Sequence, residues 1–241
     1  MDYYLSLISF GPHGWGRPFL EGAFVTLSLA VATLPFGLTL GLAIALMQRS
    51  HRRFARGFAT VYTTVFRGAP ELLTLYIIYF GLSLGVQSAL KSLGFSTQFD
   101  MPPFLAGMIA LGLVLAAFSS EVWVGALNAI PRGQREAAAA LGLHRAQAFR
   151  LIVFPQIMRI ALPGLGNNWM VLLKETSLVS VITLPDIMFY AMRANVVTKE
   201  PFLMFGVASL IYLAFSIISA VGFGVLEARS NRGHAMHGAA R

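Results

Sequence analysis

With 241 residues, of which 56% are apolar and only 12% charged, the chain is too oily for an aqueous globule, where about a quarter of residues carry charge. The absence of cysteine excludes disulfides, thiolate metal sites, cysteine nucleophiles and lipoprotein or palmitoyl anchors. A formal charge of +8 suits either nucleic acid or a membrane protein with biased loops, and the placement of the arginines separates the two.

Met1-Asp2-Tyr3 lacks a basic n-region, and the apolar stretch after Glu21 outruns the roughly 7–15 residues of a cleaved signal. A retained span is expected there. About 20 apolar residues cross a bilayer core of about 30 Å, and the chain offers five such stretches in order. The first, 22–47, carries no charge. The second, 58–90, is interrupted by Arg67 and Glu71; the third, 102–127, holds Glu121 late in its course; the fourth, 160–184, is interrupted by Lys174 and Glu175; the fifth is 201–226. No strand alternation, linker or inverted repeat competes, so an all-α integral membrane helical bundle forming a single domain over residues 1–241 is expected. Gly37/Gly41 and Gly81/Gly85 allow close helix approach, within the chain or to a partner.

The basic residues set the orientation. Arg49, Arg52, Arg53 and Arg56 follow the first span; Arg132, Arg135, Arg145, Arg150 and Arg159 follow the third; Arg229, Arg232 and Arg241 follow the fifth. They outnumber Arg17, Lys91, Arg193 and Lys199 on the opposite side. The positive-inside bias therefore places the N-terminus outside, the C-terminus inside and the segment 132–156 in the cytosol, and it accounts for the basic charge without a nucleic-acid partner.

Charges at membrane depth cost roughly 2.5–3.5 kcal/mol each on insertion scales, so each needs a partner, a water cavity or a helix end. Arg67 and Glu71 are four apart and can pair on one helix face, while Gly68 and Pro70 between them favour a helix break facing a cavity. Under the first reading they are a structural ion pair; under the second, Glu71 meets a cationic substrate. Glu121 either is solvated near an interface or faces the pathway. Lys174 and Glu175 are adjacent and point in different directions, one toward a neighbouring span and one toward a cavity, or both into packing. Thr176, Ser177 and Ser180 supply hydroxyls for a polar path, although such hydroxyls often bond their own helix carbonyls. His51 and His144 are loop residues, and His234 and His237 stand in a Gly/Ala-rich tail, so no metal site is expected. There is no phosphate-cradling G-x-x-x-x-G-K-[ST] loop and no H-E-x-x-H arrangement, so ATP chemistry must come from another chain and an intramembrane enzyme is disfavoured.

The segment 132–156 is the most informative. Glu136 followed by four alanines is a strong helix former, Gly142 permits a turn, Leu143 to Ile152 read as a basic amphipathic helix, and Pro155 is expected to stop or bend it. A helix-break-helix of this size can lie in a groove of a partner protein.

Its spacing, Glu136-Ala137-Ala138, three residues, Gly142, nine residues, Ile152, one residue, Phe154-Pro155, resembles the signature loop of permease subunits of ABC importers, with Phe154 where that signature has Leu. The resemblance extends to Phe66-Arg67-Gly68-Ala69-Pro70-Glu71-Leu72, Ala129-Ile130-Pro131-Arg132-Gly133-Gln134, Leu162-Pro163-Gly164-Leu165-Gly166-Asn167-Asn168-Trp169 and Lys174-Glu175-Thr176-Ser177-Leu178-Val179-Ser180, and covers the chain from about Glu21 to Glu227. The chain is similar to polar amino acid permeases, specifically the Q-type subunit of histidine, basic amino acid and opine importers. That resemblance implies a type I ABC importer permease fold in the bacterial cytoplasmic membrane. It implies a coupling loop using Glu136, Ala137, Ala138, Gly142, Ile152 and Pro155. The implied partners are two ATPase subunits that hold ATP and Mg, a second permease subunit of M type and an extracytoplasmic solute-binding protein, with no cofactor on this chain. Pathway candidates are Arg67, Glu71, Glu121, Lys174, Glu175 and Ser177, and the substrate is a polar, basic amino acid or opine. Many relatives carry Arg three residues after the third-span Glu, whereas Val124 stands there here. The competing reading is an ion-gradient-driven carrier with Glu71, Glu121 or Glu175 as proton relay; the missing repeat and the docking loop stand against it.

Overall fold

The computed structural model describes residues 2–95 and 99–231; Arg232, His234, His237 and Arg241 of the tail lie outside the described residues. Helices α1 (Asp2–Leu7), α2 (Gly16–Gln48), α3 (Arg53–Gly68), α4 (Glu71–Ser92) and α5 (Pro103–Ala129) are followed by the loop helices α6 (Arg132–Ala140) and α7 (Arg145–Ala148). Helices α8 (Phe154–Glu175), α9 (Ile187–Thr198) and α10 (Pro201–Asn231) complete the bundle. Five helical stretches are long and apolar enough to cross a membrane: Gly16–Gln48, Glu71–Ser92, Pro103–Ala129, Arg145–Ile182 and Pro201–Ser230.

Helix α5 is the axis. Of its most apolar window 61% is buried, against 11% for α4 and for α10, so the last two leave long faces uncovered. Helix α2 lies against α5 at glycines. A Cβ added to Gly37 would fall 2.5 Å from Leu115 Cδ2, one on Gly41 2.0 Å from Ser119 Oγ, and one on Gly112 2.3 Å from Phe36 Cδ1. The backbones approach closely because nothing stands between them. Ser119 Oγ donates to the Gly37 carbonyl at 3.4 Å and Trp123 Nε1 to the Leu38 carbonyl at 3.2 Å. Gly37/Gly41 is thus consumed inside the chain, whereas Gly81 meets only Ile77 of its own helix and Gly85 faces open space.

Buried side chains form three clusters along the bundle. Phe19 and Ala23 of α2 meet Ile187, Ala191 and Ala194 of α9 and Met204 of α10 at one end. Leu29, Leu75, Leu111, Leu115, Leu172 and Val179 fill the middle. Ala45, Trp123, Leu127, Val153, Ile157 and Leu165 close the end that carries α6 and α7.

The structure departs from the sequence expectation in three places. The second span is not one run over 58–90: Ala69 is extended (φ −84°, ψ 143°) and Pro70 opens a new helix, because the proline ring disfavours helical geometry in the residue before it. The fourth, expected over 160–184, starts earlier, its helical stretch running from Arg145 to Ile182, and at the charged pair it tightens, α8 passing at Glu175 into a 3₁₀ turn over Thr176–Ile182. Third, Pro155 does not stop a helix. A π-helical turn, Phe149–Val153, runs directly into α8, which carries Pro155; the helix widens just ahead of the residue whose ring and missing N–H would disturb an α pitch. The amphipathic helix expected over Leu143 to Ile152 is accordingly the four residues of α7 plus that turn.

Candidate functional site

Two regions hold the residues singled out by the sequence. The first is the loop between α5 and α8. Helix α6 ends in a Schellman cap: the Gly142 amide donates to the Ala139 carbonyl at 3.0 Å and the Leu143 amide to the Ala138 carbonyl at 3.1 Å. Gly142 takes φ +74° with open space around its Cα, a left-handed conformation glycine adopts without penalty. His144 then caps α7. Its Nδ1 accepts from the amides of Ala146 at 3.2 Å and Gln147 at 3.4 Å, and Gln147 Oε1 accepts from the His144 amide at 3.2 Å. This reciprocal box was not visible in the sequence because histidine stands where Ser, Thr, Asp or Asn usually cap. Glu136 and Ala137 are exposed, Ala138 is fully buried, Ile152 is half-buried in the π turn and Pro155 is exposed. Gln156 Nε2 reaches both the Ile152 carbonyl at 2.9 Å and Gln134 Oε1 at 3.4 Å, tying α8 back to α6.

The second region lies at mid-bundle around the α3/α4 break. The expected Arg67–Glu71 pair does not form. Arg67 Nη1 instead lies 3.3 Å from Glu121 Oε1 on α5, with both side chains a little under half exposed, and its guanidinium stacks over Phe118 at 5.8 Å. Gln48 Nε2 also donates to Glu121 Oε1, at 3.4 Å. The physical reason is the extended Ala69: it turns the chain between Arg67 and Glu71, so the i,i+4 relation that requires one continuous helix is lost. Glu121 is therefore held by a cation and an amide from other helices, an arrangement neither sequence reading contained.

Freed from Arg67, Glu71 faces Glu175 of α8 closely enough for their carboxyls to interact. The two line a cavity of about 190 Å³ with Phe118, Asn167 and Asn168. Asn168 Nδ2 is buried there without a hydrogen-bond partner among the described residues. An unpartnered buried amide is uncommon, since leaving one unsatisfied costs on the order of 1–3 kcal/mol. In the sequence the asparagines stand within the stretch from Leu162 to Trp169; the signal that marks them is that adjacent amides in an apolar span need partners. Lys174 is exposed and, with Arg67, Glu121 and Ser177, does not line this cavity. The hydroxyls of Thr176 and Ser180 are spent on the Leu173 and Ser177 carbonyls, both at 2.8 Å. Among the described residues no group of three or more His, Asp or Glu gathers to hold a metal.

Membrane-length helices around a small cavity that holds two carboxyl groups, with a capped helix-break-helix loop at one end, fit a membrane transport component. Residues 37–232 match the family described as binding-protein-dependent transport system inner membrane component. The chain belongs to that family, as an inner-membrane permease component of the ABC-importer class. It is 40% identical over 233 residues to the octopine transport system permease protein OccQ of Rhizobium meliloti, covering 95% of this chain and 97% of that protein. It is 39% identical over 221 residues to the histidine/lysine/arginine/ornithine transport system permease protein HisQ of Escherichia coli (strain K12), covering 92% and 96%. Among solved structures, an amino acid ABC transporter crystallised with histidines superposes with a TM-score of 0.74 at 32% identity, covering 89% of this chain and 95% of that one. The type I importer fold expected from the sequence is the fold observed.

Proposed function

We propose that the chain carries a cationic amino acid or opine across the bacterial inner membrane and that the Glu71/Glu175 cavity is where it contacts that substrate. The observation that carries this reading is the facing pair of acidic side chains beside an unpartnered Asn168 amide. Two carboxyl groups this close either share a proton or take a positive group between them; an ammonium or guanidinium supplies the latter, while the Asn168 donor suits a carboxylate. The names of the octopine and histidine/lysine/arginine/ornithine permeases agree with that chemistry. At about 190 Å³ the cavity is below the roughly 300–1,000 Å³ of a complete ligand site. A second permease subunit, of M type, completes it across the uncovered face of α4.

In this reading the N-terminus is outside, the C-terminus and the loop 132–156 are cytosolic, and the chain forms one transmembrane domain. Two ATPase subunits holding ATP and Mg dock on the loop through Glu136, Ala137 and Gly142, and an extracytoplasmic binding protein delivers the solute. Ala138, Ile152 and Pro155 join the loop to α8. ATP binding biases a two-state bundle toward its outward-open arrangement, and hydrolysis resets it. Arg67 and Glu121 hold α3 to α5 through the cycle; Lys174 and Ser177 serve packing.

The test is Glu71→Gln in the complete transporter in proteoliposomes. A charge-assisted contact worth roughly 1.5–3 kcal/mol corresponds to more than tenfold in apparent affinity. The half-saturating concentration for a cationic substrate should rise by that factor, with little change for a neutral one and with basal ATPase intact. Equal loss for both substrates would assign Glu71 to structure.

A further inference from the structure

The loop does not close flush against the helices above it. Between them lies a cavity of about 550 Å³, larger than the mid-bundle one and separate from it. Its apolar wall is Leu46, Leu127, Phe149 and Val153, and its polar edge is Arg49 and Arg145; among the described residues no acidic side chain lines it. Arg49 donates to Asn128 Oδ1, a neutral acceptor, so that contact leaves the charge of its guanidinium unbalanced. Leu46 and Leu127 each stand two residues before the last residue of α2 and of α5, at the level where the ends of two spans meet their connecting loops.

We infer that this cavity holds the headgroup of an anionic phospholipid, its phosphate between Arg49 and Arg145 and its first acyl methylenes against Leu127, Phe149 and Val153. The guanidinium fork fits phosphate oxygens with paired charge-assisted bonds. Basic pockets between spans on the cytoplasmic side recruit anionic headgroups, and that leaflet concentrates them. The apolar wall selects a lipid over a free phosphate compound, which has nothing to place there. Because Arg145 and Phe149 belong to the loop while Leu46 and Leu127 belong to the spans, a bound lipid braces one against the other, and transmission through the loop depends on it. Siting the cavity at the cytosolic leaflet rests on the orientation proposed above; lipid retention is independent of which substrate is carried.

The complete transporter is reconstituted in phosphatidylcholine with a rising fraction of phosphatidylglycerol. Phosphatidylglycerol retained by the purified complex is counted by native mass spectrometry, and substrate-stimulated ATPase is followed in parallel. Wild type should retain phosphatidylglycerol and gain ATPase stimulation with its fraction. The double variant Arg49→Gln, Arg145→Gln should retain about tenfold less and lose the dependence, whereas Arg49→Lys, Arg145→Lys should keep most of both. Ala148→Phe, which fills the cavity with both charges in place, should behave like the Gln pair even if that pair fails to assemble. Equal phosphatidylglycerol retention in wild type and Ala148→Phe would overturn the inference. So would displacement of the lipid by millimolar glycerol phosphate, which would make this a free-phosphate site. Loss of ATPase attachment by Ala148→Phe in pure phosphatidylcholine would overturn it too, and assign the cavity to the ATPase.

Discussion

Gly142 and Arg67 show how much a single position decides. At Gly142 the demand is on the backbone alone: φ is +74° and nothing lies within contact of an added Cβ. Gly142→Ala should therefore lower stability by about 1–2 kcal/mol through left-handed strain, and Gly142→Asn by less, since asparagine tolerates that region, both read as melting shifts of the purified complex. Gly142→Asp adds a charge at the proposed ATPase contact, so it should also lose ATPase stimulation while the spans still insert; normal coupling in that variant would remove the loop from the transmission route. Arg67 is a case of partner choice. With Glu121 as its counter-ion at 3.3 Å, Arg67→Met should leave an uncompensated carboxylate at membrane depth. The double change Arg67→Met, Glu121→Gln should recover assembly better than Arg67→Met alone, because an unpaired charge there costs more than no pair. Pairing Arg67→Met with Glu71→Gln should not recover it.

Among the elements, α9 shows how a short helix is fixed by its ends. Asp186 is fully buried and its Oδ1 accepts from the Phe189 amide at 2.8 Å, capping α9, while its backbone presses on Gly22 of α2. Asp186→Ala should cost about 1 kcal/mol of stability and Asp186→Asn less, since Asn keeps the capping oxygen; equal melting shifts for the two would show that the cap is not what matters. The spans could be read from the sequence because hydropathy over about 20 residues is a local property, and the α3/α4 break was signalled by Gly68 and Pro70. The partner of Arg67 was not legible, since it depends on which helix α5 turns toward α3. Nor was the π turn: Pro155 reads as a stop or a bend, and only the structure shows the helix widening just ahead of it and passing through. Glu71 and Glu175 both stand out in the sequence as pathway candidates; that the two line one cavity beside the orphan Asn168 becomes visible only once α4 and α8 are side by side.

At the level of the whole molecule, the bundle has two distinct ends, one carrying α9 and the first turns of α2 and α10, the other carrying α6, α7 and the last turns of α2 and α5. The proposed orientation is checked with single cysteines in this cysteine-free chain. Substitutions at Ser9 and Thr198 should react with a membrane-impermeant maleimide in intact cells, and those at Ser50, Gln147 and Ser230 only after the membrane is opened. Outside labelling at Gln147 would invert the topology and detach the loop from any cytosolic ATPase. The π turn has a consequence of another kind. Each residue of an α-helix advances the chain by about 100° around its axis, whereas a π turn spreads one more residue over nearly the same rotation, so Phe149–Val153 holds its additional residue without rotating the loop against the bundle. Deleting one residue there should therefore restore ordinary pitch and leave α6 and α7 facing nearly the same way, whereas inserting a further residue would swing them by about 100°. Of the nine residues between Gly142 and Ile152, one is thus spare in rotation. One residue fewer leaves the exposed side of α6 aimed as it is, and one more turns it away.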